Sequence, residues 1–498
     1  MPAGRLFVPA VFAAALLGLP GALPGATSPP AGHAAAPGAL RVVSYFRVDA
    51  GWTELWSDWR PDRVAADLGR LASLRADTVR AIVEPGLFGY PHPSATYTTR
   101  LREFVSLAAR RGLRVQLTLF DWWYEWADLR GSKTWARELL APYAGDRRIA
   151  SVELKNELVL KPHTIAWART MLPFVRSVTG PATPVTLSVS GTDPVRQLAR
   201  LKRGLGRVRP DVFDIHYYGG GGELAYDVLT RAKAVAAPTP LRLGETGYPT
   251  TTALSGYGGV PRSPSAQEAA QAHFLASLAW AARAAGLPPP GVWVLDDLRP
   301  AAVPDRTVVD TDPELHYGLF RTDGSAKPAA AVVRAAFSGT PPLAFNAGFE
   351  DAAVADAGDA VPAQWSMQGE QVVFAVDRAV ASEGEASVRI APSAAGSGSL
   401  SITPPNGGLR GGERVALSAW ARRADAGGRV FAVVEWFDGA RRLLGRAASE
   451  PLPTSSITWR RLHVVARAPR RARYLRIDLV ALRVTSLVWF DDVAFSSR

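Results

Sequence analysis

The chain of 498 residues has no cysteine. That absence removes disulfides, thiolate nucleophiles and cysteine metal sites, and it leaves the redox compartment unassigned by cysteine usage. Lysine is scarce as well: six of the 57 basic residues are Lys (133, 155, 161, 202, 233 and 327), so 51 are Arg. Against 45 acidic residues the formal charge is +12. A nucleic-acid binder gathers such charge on one face or in a run. Here the arginines are scattered, with one short run at Arg470, Arg471 and Arg473, so they read as biased background composition and nucleic acid is not an expected partner. After the first 19 residues no stretch of 18 apolar residues occurs, so no later bilayer span is expected. His92 and His163 lack metal-ligand spacing, and no catalytic metal or cofactor is expected.

What is present is a chain able to bury a core, with 47% hydrophobic and 20% charged residues. At roughly 100–200 residues per domain the length suggests two to four domains. Arg5 followed by the apolar stretch Leu6 to Leu19 and then small residues, with Ala34-Ala35-Ala36 as one cleavage site, reads as a secretory signal. Residues 20–39 are rich in Pro, Gly, Ala and Ser, as in a processing region or linker. Residues 1–36 are therefore expected to be signal and linker. The mature protein is expected to be secreted, extracellular and monomeric, without a stable membrane span.

From residue 41 strand-like and helix-like runs alternate. The strand runs are RVVSYFRV (41–48), TVRAIVE (78–84), LRVQLTLF (113–120), IASVELKNE (149–157), PVTLSVSG (184–191), DVFDIHYY (211–218), PLRLGETG (240–247) and GVWVLDDL (291–298). Apolar residues between them recur at helical spacing, as in Val64, Leu68, Leu71 and Leu74. A further helix is expected over Ala266 to Ala285, and a last one after Lys327. Eight such units, with no glycine-rich phosphate loop after the first strand, predict a (β/α)8 barrel over 37–340 rather than an open doubly wound sheet.

After Pro341-Pro342 the pattern becomes short alternating runs, VALSAWARR (415–423), RVFAVVEWFD (429–438), TWRRLHVVARA (458–468), YLRIDLVAL (474–482) and SLVWFDDVAF (486–495). These predict an antiparallel β-sandwich over 341–498.

A barrel of this kind carries its site at the C-terminal ends of the strands. Glu157 and Glu245 fall at the ends of the fourth and seventh strands, which face each other across the mouth. Two carboxylates about 5–5.5 Å apart are what a retaining glycosidase needs, one as nucleophile and one as acid/base. Arg80 on the second strand offers a cation, and Trp122, Trp123 and Trp293 offer flat apolar faces for a sugar ring; of Trp122 and Trp123 at most one need face the cleft. Glu153, four residues before Glu157, lies about 13 Å further down a regular strand, as a structural ion-pair partner.

VELKNEL (152–158) resembles the Asn-Glu motif of clan A glycoside hydrolases and LGETGY (243–248) their nucleophile motif. HYY (216–218) is similar to the His-any-Tyr element, Arg80 matches the arginine of the second strand and Trp293 the aromatic platform of the eighth. Together residues 41–338 most resemble glycoside hydrolase family 5. The resemblance implies Glu157 as acid/base, Glu245 as nucleophile, Asn156 on the sugar 2-hydroxyl, and His216 and Tyr218 lining the site with Tyr218 orienting Glu245. It implies a β-linked oligo- or polysaccharide substrate, of the cellulose, β-glucan or mannan type. It departs at Asp121-Trp122-Trp123, where many members carry a histidine, so the substrate does not carry over. A catalytically silent carbohydrate-binding or adhesion protein and a transglycosylase on the same barrel are the alternatives.

FNAGFED (345–351), the Pro362 to Trp365 element and VWFDDVAF (488–495) resemble the galactose-binding-like carbohydrate-binding modules. That resemblance implies a structural calcium held by Glu350 and Asp491 or Asp492. Trp365 and Trp489 read as core, while one of Trp436 and Phe437 points outward.

Overall fold

The computed structural model describes residues 40–219, 222–251, 264–300, 312–339, 347–349, 352–354, 360–362, 365–402, 409, 411–454 and 456–497. The signal and linker reading of 1–36, the Pro341-Pro342 break and Glu350 lie outside them.

The first part is a barrel. β1 (Val42–Ser44), β2 (Thr78–Val83), β3 (Arg114–Leu119), β4 (Ile149–Glu153), β5 (Val185–Val189), β6 (Val212–His216) and β7 (Leu241–Glu245) pair in parallel in chain order. Each falls within a run the sequence marks as strand. Nearly every strand residue is buried, because helices cover the outside and side chains fill the inside.

The eighth run differs from expectation. It is not a regular strand; Val292 bridges Val43 on one side and Thr246 on the other, and Asp296 bridges Phe320. Val292 N–H donates to the Val42 carbonyl at 2.9 Å, and Gly291 N–H to the Leu243 carbonyl at 2.9 Å. These bonds close the circle between β7 and β1. A Cβ at Gly291 would lie 2.1 Å from the Gly244 carbonyl oxygen, so only glycine permits this approach.

The covering helices follow the apolar spacing. Pro61–Ser73 buries Val64, Leu68 and Leu71, and Ala95–Arg110 buries Leu101, Phe104, Val105 and Ala108. Proline opens several of them, where its missing N–H costs no bond, as at Pro162, Pro194 and Pro328. The helices Pro264–Ala284 and Pro328–Phe337 complete the ring. Among the described residues no helix is long and apolar enough to cross a membrane.

The second part is an antiparallel β-sandwich with its own apolar core, separate from that of the barrel. One run of neighbours is 443–448, 429–437, 474–484 and 387–402; the other is 387–402, 488–497, 414–423 and 460–467. The strand 387–402 belongs to both, since Val388–Ile390 pair with 488–490 while Gly396–Ile402 pair with 477–484. Trp365 and Trp489 are buried, as is Trp436, so the outward residue of that last pair is Phe437, with Arg476 over its ring. The two parts meet where Arg283 Nη2 bonds Glu413 at 2.8 Å and Tyr226 packs edge-on against Tyr474.

Candidate active site

Six of the side chains singled out in the sequence converge at the C-terminal mouth of the barrel. Glu157 and Glu245 each offer an oxygen to one cluster with His216, and all the cluster's atoms lie within 4.8 Å of one another. Glu245 ends β7 and is held by two donors. The Tyr218 hydroxyl donates to its Oε1 at 2.6 Å, and Nη1 of Arg80 donates to its Oε2. Nη2 of Arg80 reaches Oδ1 of Asn156 at 2.7 Å. Burial opposes the charge on Arg80, but Glu153, Glu245 and Asp214 outweigh it and keep the guanidinium protonated.

Glu157 is the more open of the two glutamates, its side chain 28% exposed against 6% for Glu245. Its backbone adopts a left-handed conformation (φ 48°), stabilised where its N–H donates to the Ser188 hydroxyl at 2.8 Å. The reason is local. β4 ends at Glu153, and residues 154–157 turn across the strand end instead of continuing it.

Glu153 is the ion-pair partner expected of it, bound to Arg80 at 2.9 Å. It also reaches the site from below, because both glutamates contact one imidazole: Nδ1 of His216 lies 3.0 Å from Glu157 and Nε2 lies 3.8 Å from Glu153. Glu153 is fully buried and accepts from Nε of Arg80 at 2.9 Å, Thr118 Oγ1 at 2.7 Å and Gln116 Nε2 at 3.2 Å. Burial alone would raise its carboxyl; Arg80, His216 and Arg242 outweigh it and hold it at about 2. His216 shows the converse. Burial pulls the imidazole down, yet Glu245 and Glu157 together push it up to about 9. The imidazole thus sits among the carboxyl groups of Glu153, Glu157 and Glu245.

Below this layer Asp214 pairs with Arg242, both buried. Glu153, Asp214 and His216 form one set with metal-ligating donors, and Glu157, His216 and Glu245 a second. In both, guanidinium groups already occupy carboxylate oxygens, so a divalent cation would face Arg80 or Arg242 at close range.

The aromatic residues are divided. Trp293 is buried on the closing segment, edge-on to Phe46, with its backbone N–H on the Thr246 carbonyl beside Glu245. Trp123 is buried against Tyr90, while Trp122 is half-buried with φ 50°. Tyr124, which the sequence reading passed over, is 72% exposed on the same loop. Its adjacency to Trp122 and Trp123 after a barrel strand was the available signal.

A second charged group occupies the ends of β2, β3 and β4. Lys155 Nζ bonds Asp121 at 3.2 Å, and Glu84 nearby is pushed up to about 8, by burial first and then by Asp121. Asp121 stood out only as part of the Asp121-Trp122-Trp123 departure, and Glu84 and Lys155 went unread, because each alone is an ordinary charged residue.

In the sandwich, Oδ2 of Asp491 accepts from the N–H groups of Ser382 (2.6 Å) and Glu383 (3.2 Å), and Oδ1 accepts from that of Asp492. Backbone donors therefore already engage both oxygens of Asp491, and Asp492 is half-buried beside it. Among the described residues neither belongs to a group of three metal-ligating side chains.

No family model and no curated protein matches the chain. Solved structures do. An exo-β-1,4-mannosidase (Op5Man5) from Opitutaceae bacterium strain TAV5 is 21% identical with TM-score 0.47, over 60% of this chain and 59% of that one. A GH5_18 protein from Streptomyces cattleya, in complex with GlcNAc, is 22% identical with TM-score 0.46 over 61% and 80%. A GH2 β-galacturonidase from Eisenbergiella tayi, bound to galacturonate, is 14% identical with TM-score 0.45 over 60% and 51%. The match thus spans 59% of the length of the mannosidase.

Proposed function

We propose that the chain is a retaining β-glycoside hydrolase acting on β-linked glycans of the β-glucan or mannan type. One observation carries the reading: an oxygen of Glu157 and an oxygen of Glu245 lie within 4.8 Å of each other. That approach suits direct attack by one carboxylate, and leaves too little room for the water that an inverting pair must hold between them.

In the first step Glu245 attacks the anomeric carbon and the bond to the leaving oxygen breaks, while Glu157 gives that oxygen a proton. In the second step Glu157 takes a proton from water, which attacks the same carbon and releases Glu245 as a carboxylate. Arg80 and Tyr218 hold the oxygens of Glu245 that regain charge when it leaves. Asn156, fixed by Arg80, is placed to meet a sugar hydroxyl. Trp122 and Trp293 supply apolar surface at the mouth. The sandwich acts as an accessory carbohydrate-binding module, and the first 36 residues direct export.

Hydrolysis assays over β-glucans, mannans, xylans and aryl β-glycosides test the reading. The native chain is expected to cleave at least one, and Glu245→Gln none. Equal activity of the two on the same substrate would overturn it.

A further inference from the structure

The arginine run at 470–473 has no part in the proposed chemistry. In the fold it lines a cavity of about 410 Å³ together with Arg442, Asp438 and Tyr226. Two turns at one end of adjacent strands build the wall. Phe437 and Tyr474 are register partners, so the turn 438–442 and the turn 469–473 emerge side by side. Arg473 N–H ties them together through the Phe437 carbonyl at 2.9 Å. The second turn is also pressed against Gly411, where a Cβ would fall 1.8 Å from the Arg470 carbonyl oxygen.

Four arginines meet one carboxylate here, and that carboxylate is already engaged. Asp438 accepts from the N–H groups of Ala440 and Arg442 and from Nε of Arg442 at 3.0 Å. Arg470 and Arg471 are exposed and, among the described residues, form no ion pair or hydrogen bond. Among the described residues the Arg473 guanidinium bonds only the Ala472 carbonyl, through Nη1 at 3.0 Å. The guanidinium groups of Arg470, Arg471 and Arg473 thus keep most of their planar donor forks, which match carboxylate or sulfate oxygens two at a time, while Arg442 is held by Asp438. Tyr226 adds an aromatic wall.

We infer that this cavity binds an anionic saccharide, one bearing carboxylate or sulfate groups. The volume fits one or two sugar units and lies in the usual range for small-ligand sites, about 300–1,000 Å³. A nucleic-acid duplex needs an extended basic stripe, and this is an open depression confined to two adjacent turns. The inference rests on the glycan reading above only in choosing a sugar as carrier of the anion.

The test is affinity electrophoresis of the full chain through gels containing polygalacturonate, heparin, neutral glucomannan or a DNA duplex. Polygalacturonate or heparin is expected to retard the chain; retardation by polygalacturonate marks carboxylate as sufficient, and retardation by heparin alone marks sulfate as the ligand group. The triple variant R470S/R471S/R473S is expected to bind at least about tenfold more weakly. R414S/R446S/R460S, which removes the same charge from exposed arginines elsewhere on the sandwich, is expected to bind as the native chain does. Equal loss in both variants, or no retardation by either polymer, would overturn the site. DNA binding as tight as glycan binding, and lost in the first variant, would assign the cavity to nucleic acid instead. Binding is read without turnover, so Glu245→Gln should be retarded like the native chain even if the hydrolase reading fails.

Discussion

Glu153 and Glu157, four residues apart, flank the same imidazole, one at Nε2 and the other at Nδ1 of His216. Glu153 also holds Arg80, whose far side holds Glu245. The buried acid thereby positions both the cation and the imidazole that touch the two proposed reacting glutamates.

Glu153→Ala should therefore be costly. It leaves the buried guanidinium of Arg80 without its lower partner, and breaking such a pair typically costs about 3–5 kcal/mol. Denaturant unfolding would show the loss. Under conditions where the variant stays folded, kcat should fall more than KM rises. Unchanged stability would remove Glu153 from its positioning role.

Stability should depend on pH in two opposite ways. His216 is raised in the folded chain to about 9 from 6.5, so its contribution is full below 6.5 and is lost as pH rises through 9. Glu153 is lowered to about 2 from 4.5, so its contribution is present above 4.5 and is lost as pH falls toward 2. Unfolding midpoints should decline on both sides of a plateau between these ranges. His216→Gln should flatten the alkaline decline; if that decline persists unchanged, its origin lies elsewhere.

Tyr124 is an exposed aromatic face beside the proposed cleft. Tyr124→Ala is expected to raise KM for oligosaccharides several-fold with kcat little changed, because a platform binds ground and transition states alike. No change with any oligosaccharide would place the ring outside the substrate's path.

The barrel core includes no residue beyond Phe337, so a chain of residues 37–340 should fold and hydrolyse small aryl glycosides. If the sandwich binds glycan, the same truncation should lower activity mainly on polymers, since tethering raises local concentration without touching the chemical step. An insoluble product would mean that contacts such as Arg283–Glu413 are essential to the barrel.

Seven barrel strands were legible because parallel strands buried on both faces read as continuous Val, Leu and Ile runs. The closing segment was placed at 291–298 but as a regular strand, whereas Val292 alone bridges the chain on both sides of it. In the sandwich, 366–377 and 387–402 escaped notice: the first is largely exposed, and the second is built of Ser, Ala and Gly with little β-branched signal. At the site, residues at strand ends could be assigned to the mouth from topology alone. Glu153 could not, because its contact with His216 depends on where β4 stops. Arg470 and its neighbours looked like composition until two turns brought them to Arg442.

The central claim is that Glu245 forms the covalent bond and Glu157 handles the proton. Azide rescue, followed by the anomeric configuration of the glycosyl azide, tests it most directly. With an aryl β-glycoside bearing a good leaving group, Glu157→Ala plus azide should give the β-azide, because azide attacks an intermediate held on Glu245. Glu245→Ala should lose hydrolysis by several orders of magnitude, and azide should then give the inverted α-azide. The same configuration from both variants, or rescue of neither, would contradict the assignment.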